Sequence, residues 1–262
     1  MIQIKGWLAV VRKELTVYFS TPIFYITGFF FLLLAGYFFY TNILYYSIVS
    51  LQAAQQASNP EVAAQLHPMQ MVYQPLFGVL GIILLFLVPF ITMRLLAEEK
   101  RSGSAELLFT YPLTDWAVIW GKFGAALLVY LILLAFTVSY ALVFGLITPL
   151  DWGALGTGYL GLVLLGAACL SLGLFASSLT ENQIVAGVLA FALLLLFWII
   201  GWLQGLGAGS LGQAFKHISL LDHYENFTKG VIDTPDLVYC LSFIYFFLFL
   251  TKRQLESRRW RA

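Results

Sequence analysis

The residues that could do chemistry in this chain fall into a few tight groups. The densest is Glu98-Glu99-Lys100-Arg101, four charges in succession, with Glu106 and Asp115 following in a turn-rich stretch. A second group, Lys5 and then Arg12-Lys13-Glu14, lies near the N-terminus. A third, His217, Asp222, His223 and Glu225, could be drawn as a metal site. Its spacing matches no specific template, and interfacial polar side chains account for it better. His67-Pro68-Met69-Gln70-Met71 offers an imidazole and two thioethers, a donor set suited to Cu(I). Methionine beside an interface more often packs than ligates, so no metal is assigned there. Cys169 and Cys240 both sit inside apolar runs and read as free buried thiols, with no disulfide framework implied.

None of these groups makes an enzyme. No nucleophile stands beside a convincing acid/base pair, and no G-x-x-x-x-G-K-[ST] phosphate loop occurs. No catalytic, cofactor-binding or metal-ligating residue is therefore assigned. If the chain drives transport, the energy comes from another polypeptide.

The elements that must position these groups are membrane spans. The chain is 61% hydrophobic and only 10% charged over 262 residues, whereas soluble domains carry about 25% charge. Several apolar runs reach the roughly 20 residues that cross a ~30 Å hydrocarbon core. The expectation is an all-α, polytopic membrane protein of one domain, 1–262. Its spans are expected at 22–44, 75–97, 120–147, 153–178, 184–203 and 236–251. Residues 2–20 carry Ile4, Leu8, Val11, Leu15 and Tyr18 at helical spacing, which predicts an amphipathic helix in the inner interface with its cations toward lipid headgroups. Residues 47–74 and 204–234 read as external segments, the latter with short helices dipping into the outer leaflet. Tyr37, Tyr40, Tyr45 and Tyr46, and Trp198 and Trp202, mark outer interfaces. Pro89 is expected to kink the second span. Cys169, Gly173 and Ser177 recur every four residues, a small-residue stripe that permits close helix contact.

Charge sets the orientation. Lys5, Arg12, Lys13, Arg94, Lys100, Arg101, Lys122 and the basic tail from Lys252 all fall in segments on one side, and only Lys216 and Lys229 on the other. The positive-inside rule places both termini in the cytoplasm, with an even number of spans. No charged residue or histidine lies mid-span, which disfavours an ion-coupled secondary transporter.

Residues 98–116 then become the segment of interest. Ser102-Gly103-Ser104 suits a helix-capping start, residues 105–110 a short helix with Glu106 near its positive end, Pro112 a stop, and Thr114 the cap of the next helix. Such a stiff cytoplasmic knob is tied directly to two spans.

At this point the sequence resembles a known family. Arg12-Lys13-Glu14-Leu15 followed by Tyr18 to Pro22, and Glu98 to Leu108 with Tyr111-Pro112, Asp115-Trp116 and Gly121-Lys122, resemble the start and the second-span loop of ABC-2-type permeases. Leu221-Asp222-His223-Tyr224-Glu225 through Asp233 looks like the external stretch of a gliding-motility-associated subgroup, related to permeases of nitrous-oxide-reductase maturation. The resemblance implies the type V exporter fold in a bacterial inner membrane. Two six-span permeases pair, as two copies or as two similar chains, and each docks a cytoplasmic ATPase that binds ATP and Mg. The N-terminal helix, with Lys5, Arg12, Lys13 and Glu14, becomes the connecting helix. Glu98, Glu99, Lys100, Arg101, Ser104, Glu106, Leu107, Leu108, Tyr111, Pro112 and Asp115 become the ATPase-coupling region. Asp222, His223, Glu225 and Phe227 belong to an external re-entrant gate. The alternative is a mechanical or scaffolding subunit that relays ATPase motion to an external accessory protein without moving a substrate.

Overall fold

The structure is a computed structural model that describes residues 2–55, 67–103, 114–203 and 218–259. The described residues are helical, with short turns between. We name the helices α1 (Ile2–Ser20), α2 (Pro22–Gln55), α3 (Gln74–Thr92), α4 (Ala97–Arg101), α5 (Asp115–Gly145), α6 (Trp152–Leu179), α7 (Gln183–Leu203), α8 (Leu220–Thr228) and α9 (Thr234–Arg259). Six helical stretches among the described residues are long and apolar enough to cross a bilayer. The chain is an all-α, multi-pass membrane protein.

Helix α2 has 34 residues. At 1.5 Å per residue it is about 51 Å long, so roughly 20 Å of it exceeds the hydrocarbon core. The sequence had suggested an external loop from residue 47. The helix instead continues to Gln55, because residues 45–55 contain no proline or glycine and end in alanine and glutamine, which favour helix. The second span, in contrast, is broken at both ends. A π-turn at Met69–Tyr73 precedes it, since Pro75 in the first turn of α3 has no N–H to close an ordinary α bond. The Asn42 side-chain amide donates to the Val72 carbonyl across this irregular turn (3.1 Å). Helix α3 stops at Thr92, three residues past Pro89, and turns through 93–96 before α4 begins. The expected span, 75–97, is thus a helix that ends at Thr92 and a turn that leads into α4. The Ser177 hydroxyl of α6 accepts from the N–H groups of Leu96 and Ala97, both at 3.1 Å, and so satisfies donors that the start of α4 leaves open.

Helix α6 is the axis of the fold and packs against α3, α7, α8 and α9. Lipid tails are as apolar as leucine, so burial alone does not hold spans together, and close packing must. The α6 glycines are notches for that purpose. A Cβ at Gly158 would lie 2.1 Å from the Phe77 ring, one at Gly166 2.1 Å from Tyr130, and one at Gly173 2.4 Å from the Thr92 hydroxyl. The small-residue stripe is therefore filled within the chain: Cys169 and Ser177 are buried, and Gly173 receives Thr92. It is not an open face for a second subunit. Trp198 is likewise not an outer-belt residue. It is 7% exposed and lies with Tyr224 over Gly81. Tyr37, Tyr40 and Tyr45 remain exposed, and Tyr46 turns inward onto Phe144.

Candidate functional site

The end of the fold that carries α1 and α4, the inner end in the expected orientation, is organised by a lysine near the start of a span. Lys122, on the second turn of α5, is 1% exposed. Its Nζ lies 2.7 Å from Glu14 Oε1 of α1, 2.9 Å from Glu99 Oε1 of α4, and 2.6 Å from the carbonyl oxygen of Leu95. Lys13 reaches the same Glu99 oxygen at 2.6 Å and stands 3.8 Å from Glu14. Two lysines and two glutamates thus form a neutral, largely buried cluster that ties α1, α4 and α5 together. Partial burial works against the Lys13 charge, but its hydrogen bond to Glu99 and the neighbouring Glu14 outweigh that and raise its pKa.

Local packing brings these groups together. Val10 of α1 sits on Gly121, where an added Cβ would come within 2.7 Å, so α1 lies against the first turns of α5. That contact puts Glu14, one turn on from Val10, beside Lys122. The Tyr18 hydroxyl donates to the Ile91 carbonyl (2.7 Å), fixing the far end of α1 to α3. Arg94 grips both carboxylate oxygens of Glu98, at 2.8 and 3.1 Å, and donates to the Thr21 hydroxyl (2.9 Å) at the joint between α1 and α2. Lys100 donates to the Ser178 carbonyl, placing a cation at the negative end of α6.

The segment then leaves α4. Ser102 caps the C-terminus of α4 and Gly103 takes a left-handed backbone (φ 69°), so these residues end a helix where the sequence suggested a start. Thr114 is the N-cap of α5, accepting from the Ala117 N–H, and Asp115 lies in its first turn. Ser104, Glu106, Leu107, Leu108, Tyr111 and Pro112, with the expected helix at 105–110, lie outside the described residues, as does the side chain of Lys5.

A second cluster sits at the other end. Ser219, fully buried, caps α8 by accepting from the Asp222 N–H (3.2 Å). His223 Nδ1 lies 2.6 Å from Asp236 Oδ1, at the start of α9, and the Asn226 amide donates to the other Asp236 oxygen at 2.8 Å. The His223 ring stacks on Tyr239 with centroids 4.0 Å apart. Tyr224 donates to the Phe77 carbonyl (2.9 Å), and Phe227 packs into the Gly161 notch. Glu225 points away and pairs with Lys229 at 2.7 Å. Three of the four proposed gate residues, Asp222, His223 and Phe227, thus turn toward the helix bundle, and Glu225 is on the surface. His217 lies outside the described residues, and among the described residues no group of three His, Cys, Asp or Glu side chains could hold a metal. Met69 packs against the hydrophobic core.

The sequence pattern of the ABC-2 family transporter proteins matches residues 8–244, from ahead of Arg12-Lys13-Glu14 into the last span. The chain belongs to the ABC-2 transporter family. It is a membrane subunit of the ABC transporter class, and members of this family work with a cytoplasmic ATPase and often pair. No curated protein matches the chain.

In this ABC-2 permease the residues that sequence reasoning missed are the receiving halves of each cluster. Lys122, read as an orienting charge and as part of the Gly121-Lys122 pair, is the hub of the inner cluster. Ser177 was counted among the small residues. Asp236 and Tyr239 hold His223, and Asn226 holds Asp236. The available signal was a charged residue within the first two turns of an apolar helix, as Asp236 and Lys122 both are. A charge there needs a partner.

Proposed function

We propose that this permease couples ATP hydrolysis by a separate cytoplasmic ATPase to movement of a substrate across the bacterial inner membrane, in the direction of export. In this reading it works paired with a second copy or a similar permease, both termini are cytoplasmic, and α8 is part of the external re-entrant gate. The subgroup resemblance of residues 221–233 points to a role beside the gliding-motility-associated permeases. The observation that carries the reading is the Lys13-Glu14-Glu99-Lys122 cluster, in which all but Lys13 are buried. It supports coupling because the 98–116 segment enters the bilayer region through α4 and α5, and the cluster locks both to α1. A force on that segment is then delivered to α1, α3 and α5 as one body.

Docking is tested on groups that the inner cluster does not use. Arg101 is exposed, and the Glu98 side chain is 41% exposed. Arg101→Glu and Leu108→Asp are expected to leave the permease in the membrane and folded, and to lower ATPase co-purification or substrate-stimulated hydrolysis. Retention of wild-type docking and coupled activity by both variants would remove the proposal. Hydrolysis that depends on an external protein, with no substrate stimulation in the reconstituted complex, would favour the relay alternative.

A further inference from the structure

The Arg12-Lys13-Glu14 run divides in the fold. Lys13 and Glu14 turn into the inner cluster. Arg12 does not. It is exposed on the opposite face of α1, flanked by Leu8 (52% exposed), Thr16 and Phe19 (40% exposed). These residues, with Val11 and Leu15, line an open groove of about 700 Å³ along the helix.

Arg12 is also distinguished electrostatically. Lys13, Arg94, Lys122, Lys252 and Arg253 each have a carboxylate oxygen within 3.2 Å. Lys100 is fixed to the Ser178 carbonyl. Among the described residues Arg12 has no ion pair, and the residues one turn away, Leu8, Ala9, Leu15 and Thr16, include no acid. Thr16 directs its own hydroxyl to the Arg12 carbonyl (2.8 Å), which leaves the guanidinium as the polar donor of the groove. Arg101 is exposed too, but α4 sets no exposed apolar side chain beside it.

We infer that this face of α1 binds an anionic phospholipid, its headgroup phosphate held by the Arg12 guanidinium and its acyl chain lying against Leu8, Leu15 and Phe19. Charge complementarity selects this occupant. A guanidinium presents a planar fork of donors that fits phosphate oxygens bidentately. The exposed Leu8 and Phe19 on either side need an apolar cover, which an acyl chain supplies and an acidic protein groove does not. Continuity supports it as well: α1 passes into α2 through a single residue, Thr21, so the groove ends where the first span begins. The leaflet is the inner one if the proposed orientation holds. The site itself does not depend on orientation or on the ATPase.

The test is native mass spectrometry of the purified chain in detergent, titrated with dioleoyl phosphatidylglycerol and, separately, with dioleoyl phosphatidylcholine. Wild type is expected to retain phosphatidylglycerol more tightly. Arg12→Gln should lose about fivefold in that affinity, the weight of one basic residue against an anionic lipid. Its phosphatidylcholine binding should be unchanged. Arg12→Lys should keep part of the preference, and Leu8→Ser should weaken both lipids. Equal retention of the two lipids by wild type, or an unchanged phosphatidylglycerol affinity in Arg12→Gln, overturns the inference. So does an Arg12→Gln variant that keeps its lipid preference while losing ATPase co-purification, since the arginine would then be a protein contact. Wild-type melting of Arg12→Gln is the check on folding, with Arg12→Lys as the second variant.

Discussion

Lys122→Met is the most informative single change at the inner end. Methionine keeps the length and apolar stem of lysine and removes only the charge and the donors. At 2.7 and 2.9 Å the two carboxylates attract the ammonium by about 6 kcal/mol each at an effective dielectric near 20, before desolvation is subtracted. Most of that gross attraction offsets the cost of burying the lysine. What remains after the substitution is Glu14 and Glu99, both nearly buried, with Lys13 alone to serve them, at 3.8 and 2.6 Å. Breaking a buried ionic group in this way costs about 3–5 kcal/mol. For a chain of this size that corresponds to a fall in melting temperature on the order of 10 °C. The assay is thermal unfolding of the detergent-purified protein, followed by tryptophan fluorescence and by recovery of the monodisperse peak after heating. The second arm adds Glu14→Gln. The double variant leaves Lys13 and Glu99 as a balanced pair, so it should recover about 1–3 kcal/mol relative to additivity. A Lys122→Met protein that melts within about 2 °C of wild type, or a strictly additive double variant, refutes the claim that this cluster is a single electrostatic unit.

The other expectations are simpler. Gly166→Ala puts a methyl against the Tyr130 ring, which its hydrogen bond to the Leu162 carbonyl (2.8 Å) holds in place, and should cost about 1–3 kcal/mol in the same melting assay. Gly156→Ala, where an added Cβ meets nothing within 4 Å, should be neutral or gain about 0.5–1 kcal/mol. Asp236→Ala removes the partner of both His223 and Asn226 and should cost about 1–3 kcal/mol, with faster hydrogen exchange confined mainly to 220–228; unchanged exchange there would mean that α8 is held by Tyr224 and Phe227 alone. Ile147→Cys, at a position 80% exposed in the turn after α5, should react with a membrane-impermeant maleimide from outside intact cells, and labelling only after the cytoplasmic side is opened would reverse the proposed orientation.

The spans were legible in the sequence because a bilayer imposes a length, and runs of about 20 apolar residues are visible without any partner. Their ends were less so. Residues 47–55 looked like a loop by polarity, yet nothing in them stops a helix. The break at 93–96 depends on Ser177, a residue more than eighty positions away that supplies the acceptor for two N–H groups. The site divides in the same way. Arg12, Lys13 and Glu14 were visible as a charged run, but which of them turns inward is decided by Val10 seating on Gly121, a tertiary contact. Glu99 looked like a surface charge of a coupling loop. It is in fact between two lysines from different helices, so Glu99→Lys would damage the fold before it reported on docking. Trp198 had the composition of a belt residue and the environment of a core one, because Gly81 leaves room for it.

Both clusters are fastened to one helix. At the inner end Ser177 and Ser178 of α6 hold the start of α4 and the Lys100 ammonium. At the outer end Gly161 of the same helix receives Phe227 of α8. Sixteen residues separate Gly161 from Ser177, about 24 Å of uninterrupted helix. Between them the notches at Gly166 and Gly173 fix α5 and α3 against α6 with contacts too close to slide. A displacement of the 98–116 segment therefore has two routes in this fold. It either breaks the Ser177 and Lys100 bonds together with the Glu99 ion pairs to Lys13 and Lys122 and moves α4 alone, or it keeps them and carries α6, and with it the seat of α8. The polar bonds at Ser177 are a few short contacts that a docking force can exchange for others. The glycine notches are rigid-body contacts that it cannot. The joint between α4 and α6 is accordingly where the fold can yield, and the α6 core with α3 and α5 is what it yields against.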